Sequence, residues 1–283
     1  MQTVYDRSQL GQALAPYRHQ GDRLALVPTL GNLHAGHMAL VEAAREWADR
    51  VVVSVFVNPT QFGPGEDFED YPRTFEADRE RLLAAGADVL FAPDQAVMYP
   101  DGGDALTVRV GPLGDVLEGA SRPQFFTGVA TVVTKLLCAV NPDLTVFGKK
   151  DYQQWVVVRR LVRNLLMGTV VEAVGTVREA DGLAVSSRNA YLSPGERAVA
   201  PGLYQALREA AAEGLEHRLE AATVAETARH RIAEAGLEPE YAEVRRAGDL
   251  AEVADLAGER VLLAAAHLGG TRLIDNLEFG TVG

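Results

Sequence analysis

The chain has 283 residues, of which 47% are apolar and 23% charged, and this length allows two domains with a substantial buried core. Its 39 acidic residues outnumber the 27 lysines and arginines and give a formal net charge of -12, which argues against non-specific binding to nucleic acid or to an anionic membrane. No segment approaches the roughly 20 consecutive apolar residues of a membrane span, and residues 1–10 lack the basic and apolar regions of a signal peptide, so we expect a soluble, cytoplasmic protein.

The first part of the chain alternates short apolar strands with segments of helical periodicity. The predicted strands are Leu24 to Pro28, Val51 to Val57, Asp88 to Ala92, Leu144 to Phe147 and Val170 to Val174. The predicted helices are Met38 to Ala48, Thr74 to Ala85, Thr127 to Val140 and Val156 to Met167. A loop-rich insertion is predicted from Tyr99 to Pro123. This alternation predicts an α/β fold, with a doubly wound parallel sheet covered on both faces.

The pattern changes after about Arg188. Two helices rich in alanine and glutamate are predicted at Pro194 to Glu213 and Ala221 to Ala235. Three predicted strands follow, at Glu240 to Arg246, Arg260 to Ala266 and Thr271 to Leu277. Helices grouped before strands are typical of a smaller C-terminal α+β domain. We expect residues 1–183 in the first domain and residues 184–283 in the second.

Two histidines flank a glycine where the first predicted strand ends and the first helix begins. In a doubly wound sheet, ligands bind beyond the carboxyl ends of the strands, and a helix amino terminus offers N–H groups to a phosphate. His34 and His37 can face the same way, and Gly36 lets a flat ring or a phosphate approach the backbone. The run therefore predicts an anion site. The alternatives are a structural helix cap and zinc ligation, although no nearby cysteine or third histidine completes a zinc site.

Two further strand ends carry polar residues. Asn58 and Gln61 follow the second strand, and their amides both donate and accept, which suits a substrate with hydroxyls and a carboxylate. After the fourth strand, Gly148 permits close approach of the backbone and Lys150 can reach a phosphate. An ordinary turn and a pair of solvated lysines are the alternatives. Repetition of the pattern at successive strand ends favours one shared ligand site.

The segment Val185 to Arg188, at the predicted domain boundary, offers hydroxyls and a guanidinium. Such a loop suits closure over a triphosphate, because arginine neutralises charge on a departing pyrophosphate. The single cysteine, Cys138, lies in an apolar run and is expected to be a small buried hydrophobe without chemistry.

These four segments, in this order and spacing, resemble the pantothenate synthetase family of the nucleotidylyl transferase superfamily, whose signature is a His-x-Gly-His loop. The resemblance extends over nearly the whole chain through the following segments: Tyr71 to Arg73, Met98 to Pro100, Glu118 to Gly119, Thr176 to Glu179 and Thr271 to Asn276. It implies a Rossmann-like amino-terminal domain, a smaller C-terminal domain that folds over the site, and a homodimer. The implied activity is the ATP-dependent condensation of pantoate with β-alanine through a pantoyl-adenylate.

The resemblance also implies roles for individual residues. The implied catalytic residues are His34, His37, Lys150 and Arg188. The implied ATP-binding residues are Leu30, Gly31, Asn32, Leu33, His34, Ala35, Gly36, His37, Gly148, Lys149, Lys150, Asp151, Val177, Val185, Ser186, Ser187 and Arg188. Pantoate would be held by Gln61 and Gln154, with Asn58 close by. Mg2+ would arrive on ATP, and no protein metal site is expected.

The chain departs from the usual family pattern at several positions. Phe125 stands where a histidine is frequent, and Lys149 replaces an acidic residue beside Lys150, which adds positive charge near the phosphates. Leu30, Ala35 and Val185 also replace more common residues, and no departure removes a residue with a main implied role.

Two other functions remain open from the sequence. A true nucleotidylyl transferase would share the histidine loop but transfer AMP to a phosphate-bearing acceptor and stop there. A catalytically silent nucleotide-binding module would keep the fold alone. The presence of His34, His37, Gln61, Lys150 and Gln154 argues against such a loss of activity.

Overall fold

The computed structural model describes residues 1–103 and 105–281, so residue 104 of the predicted loop-rich insertion lies outside the described residues. The chain forms two compact units, one of residues 1–149 with 157–175 and one of residues 150–156 with 176–283. The predicted boundary after residue 183 thus falls inside the second unit. Arg178 belongs to that unit because its backbone forms an isolated β-bridge with Ala184 and its guanidinium forms a bidentate ion pair with Asp275.

A six-stranded parallel sheet forms the centre of the first unit. Its strands are β1 Gln2–Val4, β2 Leu24–Thr29, β3 Arg50–Val55, β4 Val89–Phe91, β5 Leu144–Gly148 and β6 Val170–Val174. They lie in the order β1-β4-β3-β2-β5-β6, and each neighbouring pair is parallel. The predicted Rossmann-like, doubly wound α/β fold is confirmed.

Helices flank this sheet. The helices between residues 7 and 164 are α1 Arg7–Gln20, α2 Ala35–Trp47, α3 Phe75–Ala84, α4 Gln95–Met98, α5 Glu118–Ser121, α6 Phe125–Val140 and α7 Tyr152–Asn164, and the first residues of α7 belong to the second unit. One face of the sheet packs against α2 and α3 through a core that includes Val27, Val53, Val41 and Leu82. The helix α6 packs against β2 and α1. Among the described residues, no helix is both long and apolar enough to cross a bilayer.

The sequence patterns did not predict β1 or α1. The helix α1 contains Pro16, which removes a backbone donor and disfavours a helix interior. Burial of Leu10 and Leu14 and an amino-terminal cap from Asp6 to the Gln9 N–H offset that penalty. Tertiary packing therefore overrides the local signal of the proline.

The expectation that Cys138 is buried is wrong. Its thiol lies on the exposed side of α6. The buried side of that helix is formed by residues at helical spacing, including Val129, Val133, Leu136 and Val140. Cys138 points away from that stripe, so an apolar run in sequence does not place every member of the run in the core.

The second unit is an α+β domain, as predicted, and its three strands pair in antiparallel orientation. Its elements are α8 Pro194–Val199, α9 Gly202–His217, α10 Ala221–Glu234, β7 Glu238–Arg246, β8 Gly258–Leu268 and β9 Thr271–Thr281. The strands lie in the order β7-β8-β9, and α9 and α10 share one apolar core with them. The single helix predicted from Pro194 to Glu213 is in fact two helices. Pro201 separates them, because it lacks the N–H that would continue α8, and it lies at the residue position just before α9.

Candidate active site

The candidate site of the first unit lies where the strand order of the sheet reverses. The chain leaves β2 towards β3 on one side, whereas β5 pairs with β2 on the other side. Thr29 is paired with Val55, and the pairing of Ala25 with Leu144 brings Thr29 level with Gly148. The segments after β2, β3 and β5 therefore leave the sheet at one edge, which is where doubly wound folds bind ligands.

The two histidines form the amino-terminal cap of α2. The His34 Nδ1 accepts the Gly36 N–H at 3.2 Å, and the His37 Nδ1 accepts the His34 N–H at 3.3 Å. Their ring centroids are 4.1 Å apart. Because each Nδ1 accepts a hydrogen bond, a neutral ring carries its hydrogen on Nε2. The structural-cap alternative is thus correct for Nδ1, and it leaves each Nε2 oriented as a donor.

Gly36 makes room for a side chain of the protein, whereas the sequence predicted room for a ligand. A Cβ at this position would lie 3.0 Å from both Nδ1 and Cε1 of His34. The absent side chain therefore makes room for the imidazole of His34, which folds back over the first turn of α2. The glycine serves the site by allowing this histidine conformation.

Two side chains of α3 hold the turn that precedes the histidines. Gly31 and Asn32 both have left-handed backbone, with φ of 86° and 49°. The N–H groups of Asn32 and Leu33 donate to the carboxylate of Asp78, each at 2.8 Å. Leu33 is only 1% exposed, and its carbonyl accepts from Arg81. Leu33 therefore supports the loop from within the core.

The amides after β3 form a connected network. Asn58 is fully buried, and its Nδ2 donates to the Gln61 Oε1 at 3.0 Å and to the Gly128 carbonyl at 3.3 Å. Its Oδ1 accepts from the hydroxyl of Tyr99 at 2.7 Å and from that of Thr60 at 3.0 Å. Because the oxygen of Gln61 is already an acceptor for Asn58, its NH2 group is the part directed to other partners. Asn58 thereby orients Gln61.

The hydroxyl of Tyr99 stays protonated and acts as a hydrogen-bond donor in this network. Burial raises the pKa of the Tyr99 hydroxyl, although its bonds to Thr60 and Asn58 oppose the shift. The hydroxyl is therefore protonated at neutral pH and donates to Asn58. The ammonium of Lys135 lies 4.3 Å from the centre of the tyrosine ring and bonds to the Met98 carbonyl.

Lys150 and Gln154 belong to the second unit. Lys150 lies in the 3-10 turn that precedes α7, and its ammonium is 3.6 Å from a carboxylate oxygen of Asp151. Its backbone carbonyl accepts from the side-chain amide of Asn276 on β9 at 2.9 Å. The neighbouring Asp275 accepts from Arg178 and from the Asn276 N–H. Strand β9 thus holds the turn that carries Lys150.

The remaining predicted nucleotide residues of the second unit lie on adjoining segments. The Val185 N–H donates to the Val177 carbonyl at 2.9 Å, so these two predicted contacts are brought together. The Ser186 hydroxyl accepts the Arg188 N–H at 3.3 Å and caps the 3-10 helix Ser187–Tyr191. This local fold places the side chains of Ser186, Ser187 and Arg188 on one short turn.

The predicted site residues are divided between the two units. The first unit holds the histidine loop, the amides after β3, and Gly148 with Lys149 at the end of β5. The second holds Lys150, Asp151, Gln154, Val177 and the turn from Val185 to Arg188. Sequence patterns missed the supporting residues Asp78, Arg81 and Gly128. Tyr99 and Asn276 lie within motifs that carried the family resemblance, which was the available signal for them.

Comparisons with known proteins find relatives that match nearly the whole chain. The family model described as pantoate-beta-alanine ligase matches residues 2–278. A pantothenate synthetase from Thioalkalivibrio sulfidiphilus is 52% identical over 98% of this chain and 97% of its own length. One from Pseudomonas aeruginosa is 50% identical over 98% of each chain.

Solved structures show the same likeness. The crystal structure of pantothenate synthetase from Thermus thermophilus has a TM-score of 0.90 at 45% identity, over 98% of this chain and 99% of that one. A pantoate-beta-alanine ligase from Francisella tularensis, complexed with beta-gamma ATP and beta-alanine, has a TM-score of 0.82 at 32% identity, over 98% and 97%. From matches that span nearly its whole length, we conclude that the chain belongs to the pantoate-beta-alanine ligase family.

Proposed function

We propose that this chain, an ATP-dependent pantoate–β-alanine ligase, works through a pantoyl-adenylate formed at the edge of its parallel sheet. The observation that carries the proposal is the pair of imidazoles at the strand-order reversal. The imidazoles follow β2, and the oriented amide of Gln61 follows the neighbouring strand β3. Donors suited to phosphate and donors suited to a small organic acid therefore both follow the carboxyl ends of neighbouring strands. This arrangement suits a reaction between the two ligands.

In the first step, a carboxylate oxygen of pantoate attacks the α-phosphorus of ATP. A new oxygen–phosphorus bond forms, the bond to the bridging oxygen of the β-phosphate breaks, and pyrophosphate leaves. The carboxylate is ionised at neutral pH, so no general base is needed. The step needs alignment of the reacting atoms and stabilisation of the charge that develops on the phosphates.

His34 and His37 supply neutral donors for that charge. Each ring has its Nδ1 engaged by a backbone N–H, so a neutral ring carries on Nε2 the hydrogen that we propose it donates to a phosphate oxygen. We assign the positive charge to Lys150 and Arg188, whose ammonium and guanidinium neutralise the β- and γ-phosphates. His37 is also the group that we propose to donate a hydrogen bond to the leaving pyrophosphate.

Pantoate is proposed to lie against Gln61 and Gln154. The NH2 group of Gln61 is directed away from Asn58 and is a suitable donor to a carboxylate or hydroxyl of pantoate. Asn58 is fully buried, so its role in substrate binding is to hold Gln61 in this orientation. The nucleotide residues from Leu30 to Asn32, Ala35, Gly36, Gly148, Lys149 and Asp151 are proposed to surround the phosphates and ribose.

In the second step, the free amine of β-alanine attacks the carbonyl carbon of the adenylate. A carbon–nitrogen bond forms, the carbon–oxygen bond to AMP breaks, and the nitrogen loses a proton. No side chain is assigned as the base for that proton. Because the adenylate is a reactive mixed anhydride, the segment from Val185 to Arg188 is proposed to exclude water from it.

Mg2+ is proposed to enter with ATP as part of the substrate. Magnesium commonly keeps several waters and binds substrate phosphates, and bound with ATP it would neutralise phosphate charge. No cluster of three or more histidine, cysteine or acidic side chains suited to a metal occurs in the described part of the chain. We propose that the protein's own contribution to phosphate binding is the donor set formed by His34, His37, Lys150 and Arg188.

A homodimer and a cytoplasmic location are also proposed, the latter because ATP is the substrate. Exposed apolar side chains just after α7 and on the edge strand β6, namely Leu165, Leu166 and Val170, support association of two copies. Sedimentation at micromolar concentration should give twice the chain mass of 30.4 kDa. A species of 30.4 kDa would reject the dimer.

Transfer of an oxygen isotope tests the proposed intermediate. With pantoate labelled with 18O in both carboxylate oxygens, we expect one labelled oxygen in AMP and the other in the amide of the product. The label reaches AMP because the oxygen that attacks phosphorus stays with it when the amine attacks carbon. Mass spectrometry of AMP gives the readout, and AMP without label would reject the adenylate.

Exchange of labelled pyrophosphate into ATP separates this function from its nearest rival. The ligase should catalyse exchange that requires pantoate and does not require β-alanine. Exchange that requires a phosphorylated acceptor instead would favour a nucleotidylyl transferase, and no exchange with any acceptor would favour a silent binding module.

A further inference from the structure

A buried carboxylate on α3 takes no direct part in the proposed chemistry. Asp78 is 1% exposed and lies in the first turn of that helix. Acidic side chains are almost never fully buried unless they are paired with suitable partners. The partners of Asp78 lie in the turn that leads into the histidine cap and in the residue that precedes α3.

Three donors are directed at the Asp78 carboxylate. One oxygen, Oδ1, accepts the Leu33 N–H at 2.8 Å. The other, Oδ2, accepts the Asn32 N–H at 2.8 Å and the Thr74 hydroxyl at 3.1 Å. The two backbone bonds join consecutive residues of the turn to the two oxygens of one carboxylate, so they fix both the position and the orientation of the turn.

The turn needs such support because its backbone is unusual. Gly31 and Asn32 are consecutive left-handed residues, a conformation that residues other than glycine rarely adopt. A Cβ on Gly31 would lie 3.2 Å from the Asp78 Oδ2 and 3.1 Å from a methyl group of Val55. Glycine thus lets the turn approach the carboxylate closely, and the carboxylate in turn stabilises the conformation.

Arg81 holds the same turn as a hydrogen-bond donor, whereas Asp78 holds it as an acceptor. It lies one turn further along α3, and its guanidinium donates to the carbonyl of Leu33. The helix α3 therefore binds both the N–H and the carbonyl of Leu33. The next residue, His34, begins the cap in which the two imidazoles are oriented.

We infer that Asp78, with Arg81, is a positioning residue for the ligase reaction: it holds the turn from Gly31 to Leu33 so that the Nε2 atoms of His34 and His37 face the triphosphate. The inference rests on the proposed function for its catalytic consequence. Its structural part, the effect on the histidine rings, is independent of activity. Small displacements of positioning groups cost large factors in rate, because the reacting atoms must be aligned.

The variant Asp78→Asn tests this assignment. Both carboxylate oxygens accept a backbone N–H, so an amide NH2 must face one of those donors whichever way it is oriented. We expect kcat/KM for ATP to fall by about 100-fold, the cost of a displacement on the order of 1 Å. The dissociation constant of pantoate for the free enzyme should change by less than about twofold, because Gln61 and Asn58 are held by another network.

A control variant separates local positioning from general loss of stability. Asp88→Asn changes a half-buried carboxylate that accepts the Val51 N–H at 2.8 Å, at the amino end of β3 and away from the histidine turn. Its kcat/KM should stay within about twofold of the wild-type value at temperatures below its Tm. An equal loss in both variants would overturn the inference.

Nitrogen-detected NMR of the imidazoles provides a readout that does not depend on turnover. In the nucleotide-free wild type, both rings should show Nδ1 as the unprotonated acceptor and Nε2 as the protonated nitrogen. In Asp78→Asn, we expect these two sets of signals to shift or broaden, whereas Asp88→Asn should leave them unchanged. Unchanged signals together with wild-type kcat/KM in Asp78→Asn would overturn the inference.

If Asp78→Asn does not fold, Arg81→Met provides the test, because Arg81 is exposed on α3 and its loss leaves the buried carboxylate in place. We expect a fall of about tenfold in kcat/KM for ATP, with the same change in the imidazole signals. Wild-type values for both readouts would overturn the inference. Altered imidazole signals in a protein whose wild type has no ligase activity would instead reject the proposed function and leave the structural part standing.

Discussion

Replacing Lys150 with alanine should lower kcat by about 100-fold or more, because loss of one preorganised charge donor costs roughly that factor in enzymes that stabilise a developing charge. The fold should be retained. The ammonium is 3.6 Å from the half-exposed carboxylate of Asp151, and such pairs contribute little to stability. The backbone bond from Asn276 to the Lys150 carbonyl is unaffected by the side chain.

The measurement is initial-rate AMP formation with saturating pantoate and β-alanine, together with circular dichroism to monitor the fold. Arg163→Ala is the matched control, since Arg163 is an exposed cation in the last turn of α7. It should keep kcat within about twofold. His37→Ala should reproduce the loss seen in Lys150→Ala, because it removes an Nε2 donor. Wild-type turnover in both site variants would reject the assigned roles.

Replacing Gly128 with alanine should abolish most activity by a different route. A Cβ at Gly128 would lie 2.2 Å from the Thr60 carbonyl oxygen and 2.8 Å from the Cα of Gln61. Both are backbone atoms, so the clash cannot be relieved by rotation of a side chain. We expect a loss of about 1–3 kcal/mol in the free energy of unfolding. We also expect a fall of about 100-fold in kcat/KM for pantoate, because Gln61 is displaced.

Gly11→Ala is the matched control for that substitution. Gly11 lies in the interior of α1, where a Cβ would meet no atom within 4 Å. Alanine should therefore stabilise the protein by about 0.5–1 kcal/mol through its better helix propensity, with unchanged kinetics. Urea unfolding and pantoate titration of both variants give the comparison. Unchanged stability and kinetics in Gly128→Ala would show that α6 does not determine the position of Gln61.

The parts of the fold that follow from local pattern could be predicted from the sequence. Interior strands such as β3 are short and rich in buried valines, and their alternation with helices identifies the parallel sheet. The helix α2 begins at Ala35, ahead of the predicted start at Met38, because the histidines cap it with their own side chains. A histidine cap leaves no standard signature, so periodicity alone placed the start too late.

The supporting shell of the site could not be predicted in this way. Asp78 is 46 positions from Asn32 along the chain, and Gly128 is 70 positions from Asn58. Their roles arise only when α3 and α6 pack beside the strand ends. Nothing in the neighbouring residues of either one distinguishes it from an ordinary helical aspartate or glycine. Polar residues at strand ends are predictable, whereas the residues that fix their geometry depend on tertiary packing.

The central claim is that separate strand-end segments hold the triphosphate of ATP beside pantoate. A crystal structure with a non-hydrolysable ATP analogue and pantoate tests it most directly. We predict that phosphate oxygens lie within hydrogen-bond distance of the Nε2 atoms of His34 and His37 and of the Lys150 ammonium, with the pantoate carboxylate beside the Gln61 amide. A triphosphate bound away from both histidines, or pantoate bound in a separate pocket, would contradict the claim.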